Sequence, residues 1–173
     1  MPDLGKRMGK VVRSVYVETT VVSYLTAKSS RDLVVAAHQE VTREWWEKAP
    51  QRFDLYASAI VLDEIAEGDP EAAERRRRIV ADMKLLGRPP EVEELKAEYA
   101  ERLPIPDKAM ADCYHLALAS WHGMDYLVSW NMKHIVNGDV ILSVQEMNSA
   151  RGIRTPLICT PEELVEDSWS MTP

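Results

Sequence analysis

Apolar residues fall along this chain in two alternating patterns, short unbroken runs and longer segments with an apolar residue every third or fourth place. Val11 to Val17 (VVRSVYV) is mostly β-branched or aromatic, the pattern of a strand buried on both faces, and Glu18 is its polar stop. Thr19 to Ala27 (TTVVSYLTA) predicts a helix with Thr19 or Thr20 as N-cap, although its β-branched residues weaken helix formation. From Asp32 to Lys48 a longer helix is predicted, with Leu33, Ala37, Val41 and Trp45 at four-residue steps and Pro50 just beyond the end. Asp54 to Ala57 reads as a short strand, after which Ser58 caps a helix over Ala59 to Glu67 that Gly68 stops.

Two stretches rich in Glu, Arg, Ala and Leu follow, Pro70 to Leu86 and Pro90 to Arg102, and with Gly87 and Pro89 between them they read as a helical hairpin. Asp107 caps a helix from Lys108 to Trp121, ended by Gly123. Tyr126 to Trp130 (YLVSW) is another buried strand, with Asn131 directly after it. A helix over Val140 to Ala150, a short strand Leu157 to Cys159, and a turn opened by Thr160-Pro161-Glu162-Glu163 complete the order. Strands separated by helices imply a mainly parallel sheet covered on both faces, a three-layer αβα domain. With no internal repeat, residues 1–173 are expected to form a single domain, its core spanning about 11 to 165 and its termini flexible.

Composition narrows the class. The 173 residues are 46% apolar and 28% charged, ordinary globular usage that excludes a collagenous chain, a coiled coil or a disordered tail. A domain of this size buries roughly 70% of its extended-chain surface, so its core needs no disulfide. Cys113 and Cys159 lie far apart inside apolar segments, which reads as two buried thiols and fails the spacing of a zinc or redox pair. The absence of a long apolar run and of a secretory leader pattern leads to the expectation of a cytoplasmic protein with no membrane partner. Lys plus Arg number 21 against 28 Asp plus Glu, a net charge of −7, which argues against coating duplex DNA by bulk positive charge. It leaves room for a nuclease that meets phosphate through a cation held by carboxylates.

In open α/β sheets ligands bind beyond the carboxyl ends of the strands, so Glu18 and Asn131 are the first candidates. Glu64 lies on the helix after the second strand, and Asp112 in the first turns of the helix that leads to YLVSW. Carboxylates gathered at one place repel one another, and a divalent cation relieves the conflict; Mg2+ prefers such oxygen ligands and keeps several waters.

The segments VYVETTVVSYL, SAIVLDEIAEGDP, IPDKAMADCYHLALAS, DYLVSWNMKHIVN and TPLICTPEEL, in that order, resemble a PIN domain, specifically the VapC-like ribonuclease toxins of type II toxin–antitoxin systems. The resemblance implies an acidic site that binds Mg2+ or Mn2+ and hydrolyses RNA phosphodiester bonds in single-stranded or structured RNA. It also implies a cognate antitoxin and a homodimer. Residue by residue, the family's acidic positions fall on Glu18, Glu64, Asp112 and Asn131. Glu18, Glu64 and Asp112 are then the expected metal ligands, Asn131 an outer contact, and Thr20 and Ser129 supporting hydroxyls. His134, close to Asn131, is a candidate substrate contact. Two departures bear on efficiency: Glu18 reaches one methylene farther than Asp, and Asn131 removes a negative charge, which weakens a second metal more than a first. The alternative is therefore a catalytically weakened PIN domain that regulates by binding RNA or a protein.

Other features have ordinary explanations. His115, three residues after Asp112, reads first as a core histidine bonded internally, and His38 and His122 give no reason for function. The run Arg75 to Arg78 follows Glu71 and Glu74 at helical spacing, so ion pairs on a solvated helix explain it without RNA. Trp45 and Trp46 cannot share a helix face, so one belongs to the core and the other is a candidate contact.

Overall fold

A computed structural model describes residues 11–165; the expectation of flexible termini falls on residues outside that range. Five strands form one sheet: β1 (Arg13–Val17), β2 (Phe53–Ser58), β3 (Lys84–Leu86), β4 (Tyr126–Val128) and β5 (Leu157–Cys159). Their order is β3-β2-β1-β4-β5 and all four pairings are parallel. Seven helices supply the crossovers: α1 (Thr19–Thr26), α2 (Leu33–Arg52), α3 (Ala59–Ile65), α4 (Pro70–Val80), α5 (Pro90–Arg102), α6 (Met110–Trp121) and α7 (Gly138–Ala150). The result is a three-layer αβα fold. Val15, Tyr16 and Val17 of the central strand are fully buried, as an unbroken apolar run requires when helices cover both faces.

The order has one consequence for function. From β1 the chain passes to β2 on one side, while β4 pairs with the other side of β1, so the carboxyl ends of β1 and β4 flank the point where the topology reverses. Adjacent loops diverge there and leave a crevice. Glu18 follows β1 and Ser129 follows β4.

Several expected boundaries shift for identifiable reasons. The predicted helix to Leu86 stops at Val80, and Lys84–Leu86 is an edge strand paired with Tyr56–Ser58. Pairing to β2 overrides the helical propensity of Met83, Lys84 and Leu85, so the expected helical hairpin is instead helix, strand, helix. Pro50 lies inside α2, in its last turn, rather than beyond it. The α1 cap is Glu18 rather than Thr19 or Thr20, its side chain accepting from Thr20 N. Ser58 caps α3 as expected, Asp32 caps α2 instead of opening it, Asp107 opens a 3-10 turn before α6 instead of capping that helix, and Thr160 with Glu163 forms a capping box. Trp45 is the core member of the tryptophan pair and Trp46 is half-buried. Among the described residues no helix is long and apolar enough to cross a membrane.

At the opposite end of the sheet, Asp125 ties the start of β4 to the start of β1. Its carboxylate accepts from Ser14 N at 2.9 Å and Ser14 Oγ at 3.1 Å and pairs with Arg13 and Arg154. Burial pushes its pKa up, but the bonds from Ser14, Arg13 and Arg154 outweigh that and hold it below the usual carboxylate range. Asp125→Ala should therefore cost about 1–3 kcal/mol in urea denaturation at neutral pH. A lowered folded-state pKa stabilises fully above the unfolded value of about 4 and is lost as pH falls through the folded value, so the gap between wild type and variant should close below about pH 4.

Candidate active site at the switch point

Glu18 ends the apolar run of β1 and enters α1, a position that would normally leave a glutamate in solvent. Here it is 3% exposed. Its backbone N–H donates to Val128 O of β4, and its Oε2 accepts three hydrogen bonds: from Thr20 N at 3.1 Å, Thr20 Oγ1 at 2.5 Å and Ser129 Oγ at 2.7 Å. Each hydroxyl is oriented by a backbone N–H that it accepts, Trp130 N for Thr20 and Asn131 N for Ser129. With its proton used on Glu18 and its lone pair used on the backbone, neither hydroxyl is free to turn away. Among the described residues no hydrogen bond reaches the other oxygen, Oε1, which lies 3.9 Å from His115 Nε2.

Glu64 arrives from α3, whose N-cap Ser58 ends β2. Its side chain is 31% exposed, and its Oε2 accepts from Thr19 Oγ1 at 2.5 Å and bonds His115 Nε2 at 2.9 Å. Asp63 beside it faces solvent. Burial raises the pKa of Glu64, but the hydrogen bond and charge of His115 and the bond from Thr19 more than reverse this, so the net shift is downward. His115 is the mirror case. Burial lowers its pKa, but the bond to Glu64 and the charges of Glu18, Glu64 and Asp112 prevail and the net shift is upward.

Behind the imidazole runs a buried polar chain: His115 Nδ1 to Tyr16 Oη at 2.8 Å and Tyr16 Oη to Ser58 Oγ at 2.7 Å. All three residues are fully buried. Burial pushes the Tyr16 phenol far above its ordinary pKa, which keeps it neutral and able both to donate and to accept.

The remaining expected residues take distinct places. Asp112 lies one helical turn before His115, and its Oδ2 bonds His134 Nδ1 at 2.8 Å, both side chains being mostly buried. Asn131 uses its Oδ1 to accept from His134 N at 3.0 Å, so its side chain holds the turn after β4. Thus Glu18 and Glu64 meet, Thr20 and Ser129 touch Glu18, and Asp112 and Asn131 both engage His134 alongside. The group that joins the two glutamates is His115, read from sequence as an internally bonded core residue. It is that, but its partners belong to the site. The available signal was its spacing of three from Asp112, which puts both on one helix face. Thr19 and Ser58 carry only a capping signal in the sequence, and nothing local marks Tyr16.

Glu18, Glu64 and His115 each offer one ligand atom, and these atoms lie within 4.8 Å of one another. Two carboxylates, one of them buried with an oxygen left over, make a donor set that fits a divalent cation. Both thiols are buried, which pushes Cys113 up to about 11 and Cys159 up to about 12 and disfavours the reactive thiolate. The arginine run is largely spoken for, with Arg76 bonding Ile65 O and Glu67 O, and Arg77 and Arg78 pairing with Glu74. A hollow of about 450 Å³ floored by Trp46, Pro50, Phe53, Leu55, Ile79 and Met83 opens near the amino end of β2, away from the acidic pair. Tyr16→Phe should lose about 1–3 kcal/mol of stability, because it strands the His115 Nδ1 and Ser58 hydroxyl in a dry interior; denaturation of both proteins at one pH measures it.

No protein-family model matches the chain, and no curated protein matches it significantly in sequence. A solved structure does match: Mycobacterium tuberculosis VapC20, described as a sarcin-ricin loop cleaving toxin, superposes with a TM-score of 0.53 at 16% identity, over 69% of this chain and 92% of that one. The five-stranded parallel order, the acidic pair at the reversal point and this superposition lead to one structural conclusion: the chain has the fold of a VapC-like PIN domain.

Proposed function

We propose that this protein is a divalent-metal-dependent endoribonuclease acting as the toxin of a type II toxin–antitoxin pair in the cytoplasm. The observation that carries the reading is the meeting of Glu18 and Glu64 at the switch point of the sheet, one buried and one open to solvent. The fold likeness to a toxin described as cleaving the sarcin-ricin loop supports RNA as the substrate class.

When bound between Glu18 and Glu64, Mg2+ or Mn2+ supplies charge beside the scissile phosphate and lowers the pKa of a water. The protein's own contribution is preorganisation. Glu18 is fixed by three donors before any ligand arrives, so no side-chain reorganisation is needed at the moment of reaction. Glu64, more exposed, faces the incoming RNA and orients the attacking water. Asp112 is tied to His134 through one oxygen, and we assign the other to the cation or to that water. Asn131, its Oδ1 occupied, has its amide N–H groups left to donate to phosphate. His134 contacts the substrate next to it. For partners we infer a cognate antitoxin and a second copy of the chain. Leu33 and Val34, 86% and 64% exposed on the first turn of α2, supply an apolar surface for one of them.

One observation favours a binding module instead. Asn131 brings no charge, and its oxygen is spent on the local turn, so a second cation has fewer carboxylates to hold it. Incubating a stem-loop RNA with the protein and Mg2+ or Mn2+ separates the two. The nuclease reading expects cleavage that EDTA stops and that falls by about 100-fold or more in Glu18→Gln and Asp112→Asn. RNA retained intact, at equal background rates in wild type and both variants, would sink the nuclease and leave the binder.

A further inference from the structure

Resting on the metal-dependent reading above, we propose that His115 Nε2 is itself a ligand, so that the site presents one nitrogen and at least two oxygens and selects a first-row transition ion over Mg2+. Three observations carry this.

The first is distance. His115 Nε2 lies 2.9 Å from Glu64 Oε2 and 3.9 Å from Glu18 Oε1. An ion with bonds of about 2.0–2.2 Å holds adjacent ligand atoms about 3 Å apart and opposite ones about 4.3 Å apart. The two separations fall within that range, so small side-chain adjustments suffice.

The second is the support behind the ring. A ligating imidazole presents one nitrogen to the metal and donates from the other to a fixed partner, which sets tautomer and orientation. His115 has that arrangement, its Nδ1 held by Tyr16 Oη, and Tyr16 held in turn by Ser58. A histidine retained only to neutralise Glu64 needs no such chain on its far side.

The third is the unused oxygen. Glu18 is almost completely buried, and its Oε1 is directed toward His115 without a hydrogen bond among the described residues, while Oε2 accepts three. That oxygen is not sealed from solvent, so it stands open to a cation entering from the crevice.

The chemical consequence follows from ligand softness. Mg2+ takes oxygen and gives up water reluctantly, whereas imidazole suits ions of the Fe2+ to Zn2+ range. The arrangement therefore adds little for Mg2+ and much for a transition ion.

The full chain is titrated calorimetrically with Co2+ and with Mg2+, as wild type, His115→Gln and Glu18→Gln, each checked for folding by thermal denaturation. Pulsed electron paramagnetic resonance of the Mn2+-loaded wild type reads nitrogen coordination directly, with no variant needed. Expected are a nitrogen coupling from one imidazole, a Co2+ to Mg2+ affinity ratio that drops at least about 10-fold in folded His115→Gln, and loss of both ions in Glu18→Gln. Mn2+ bound without nitrogen coupling, or an unchanged ratio in His115→Gln, overturns the proposal while leaving the nuclease intact. Nitrogen coupling with no RNA cleavage by any ion overturns the nuclease and leaves this site standing. No bound ion at all removes both.

Discussion

Burial of the Glu18 carboxylate between the ends of β1 and β4 sets the terms for every residue around it. An ionised carboxylate taken out of water is costly unless hydrogen bonds or opposite charge replace its hydration. Thr20, Ser129 and the α1 backbone do this at Oε2, which explains why a glutamate is the N-cap here, a role that shorter side chains usually fill. The same contacts join three elements: α1 through Thr20, β4 through Ser129 and Trp130, and β1 through Glu18 itself. Removing Glu18 would leave two oriented hydroxyls with nothing to accept their protons.

The sheet order makes this position available. Because β1 is central, its apolar residues are sealed by helices on both faces, and the first residue past the strand is the first that can be polar. Since β1 and β4 send their connections in opposite directions, that residue opens onto a crevice. Glu64 and His115 reach the same crevice from α3 and α6 on two other crossovers. No continuous segment of sequence builds the site; it is assembled by the order in which parallel strands are laid down.

Much of this was legible beforehand, and the limits are physical. The unbroken runs VYV and YLV identify buried strands because helices on both faces leave no place for alternation, and the cap Ser58 is a local bond between near neighbours. The edge strand Lys84–Leu86 was not legible: it is three residues long, two of them exposed, and its conformation comes from a partner 28 residues away at Tyr56↔Lys84. Glu18 and Glu64 could be chosen from strand ends and from the family resemblance. His115 could not be chosen over Asp112, because side chains one turn apart share a helix face, and only packing decides which one Tyr16 pins toward Glu64 and which one His134 draws aside.

That division of labour on α6 bears on the charge of the whole site. Asn131 contributes no carboxylate, and the structure places a buried imidazole next to the two glutamates. Relative to four carboxylates, two glutamates and an imidazole offer less negative charge but a firmer donor, held by the Tyr16 and Ser58 chain. Total ligand charge governs how many cations a site can crowd together, whereas donor softness governs which one it takes. On the proposal above, a site with Glu18, Glu64 and His115 is suited to one tightly chosen ion rather than two exchangeable ones. On the nuclease reading, the work a second cation would do at the leaving oxygen then passes to side chains beside the cluster, where His134 already stands against Asp112 and Asn131.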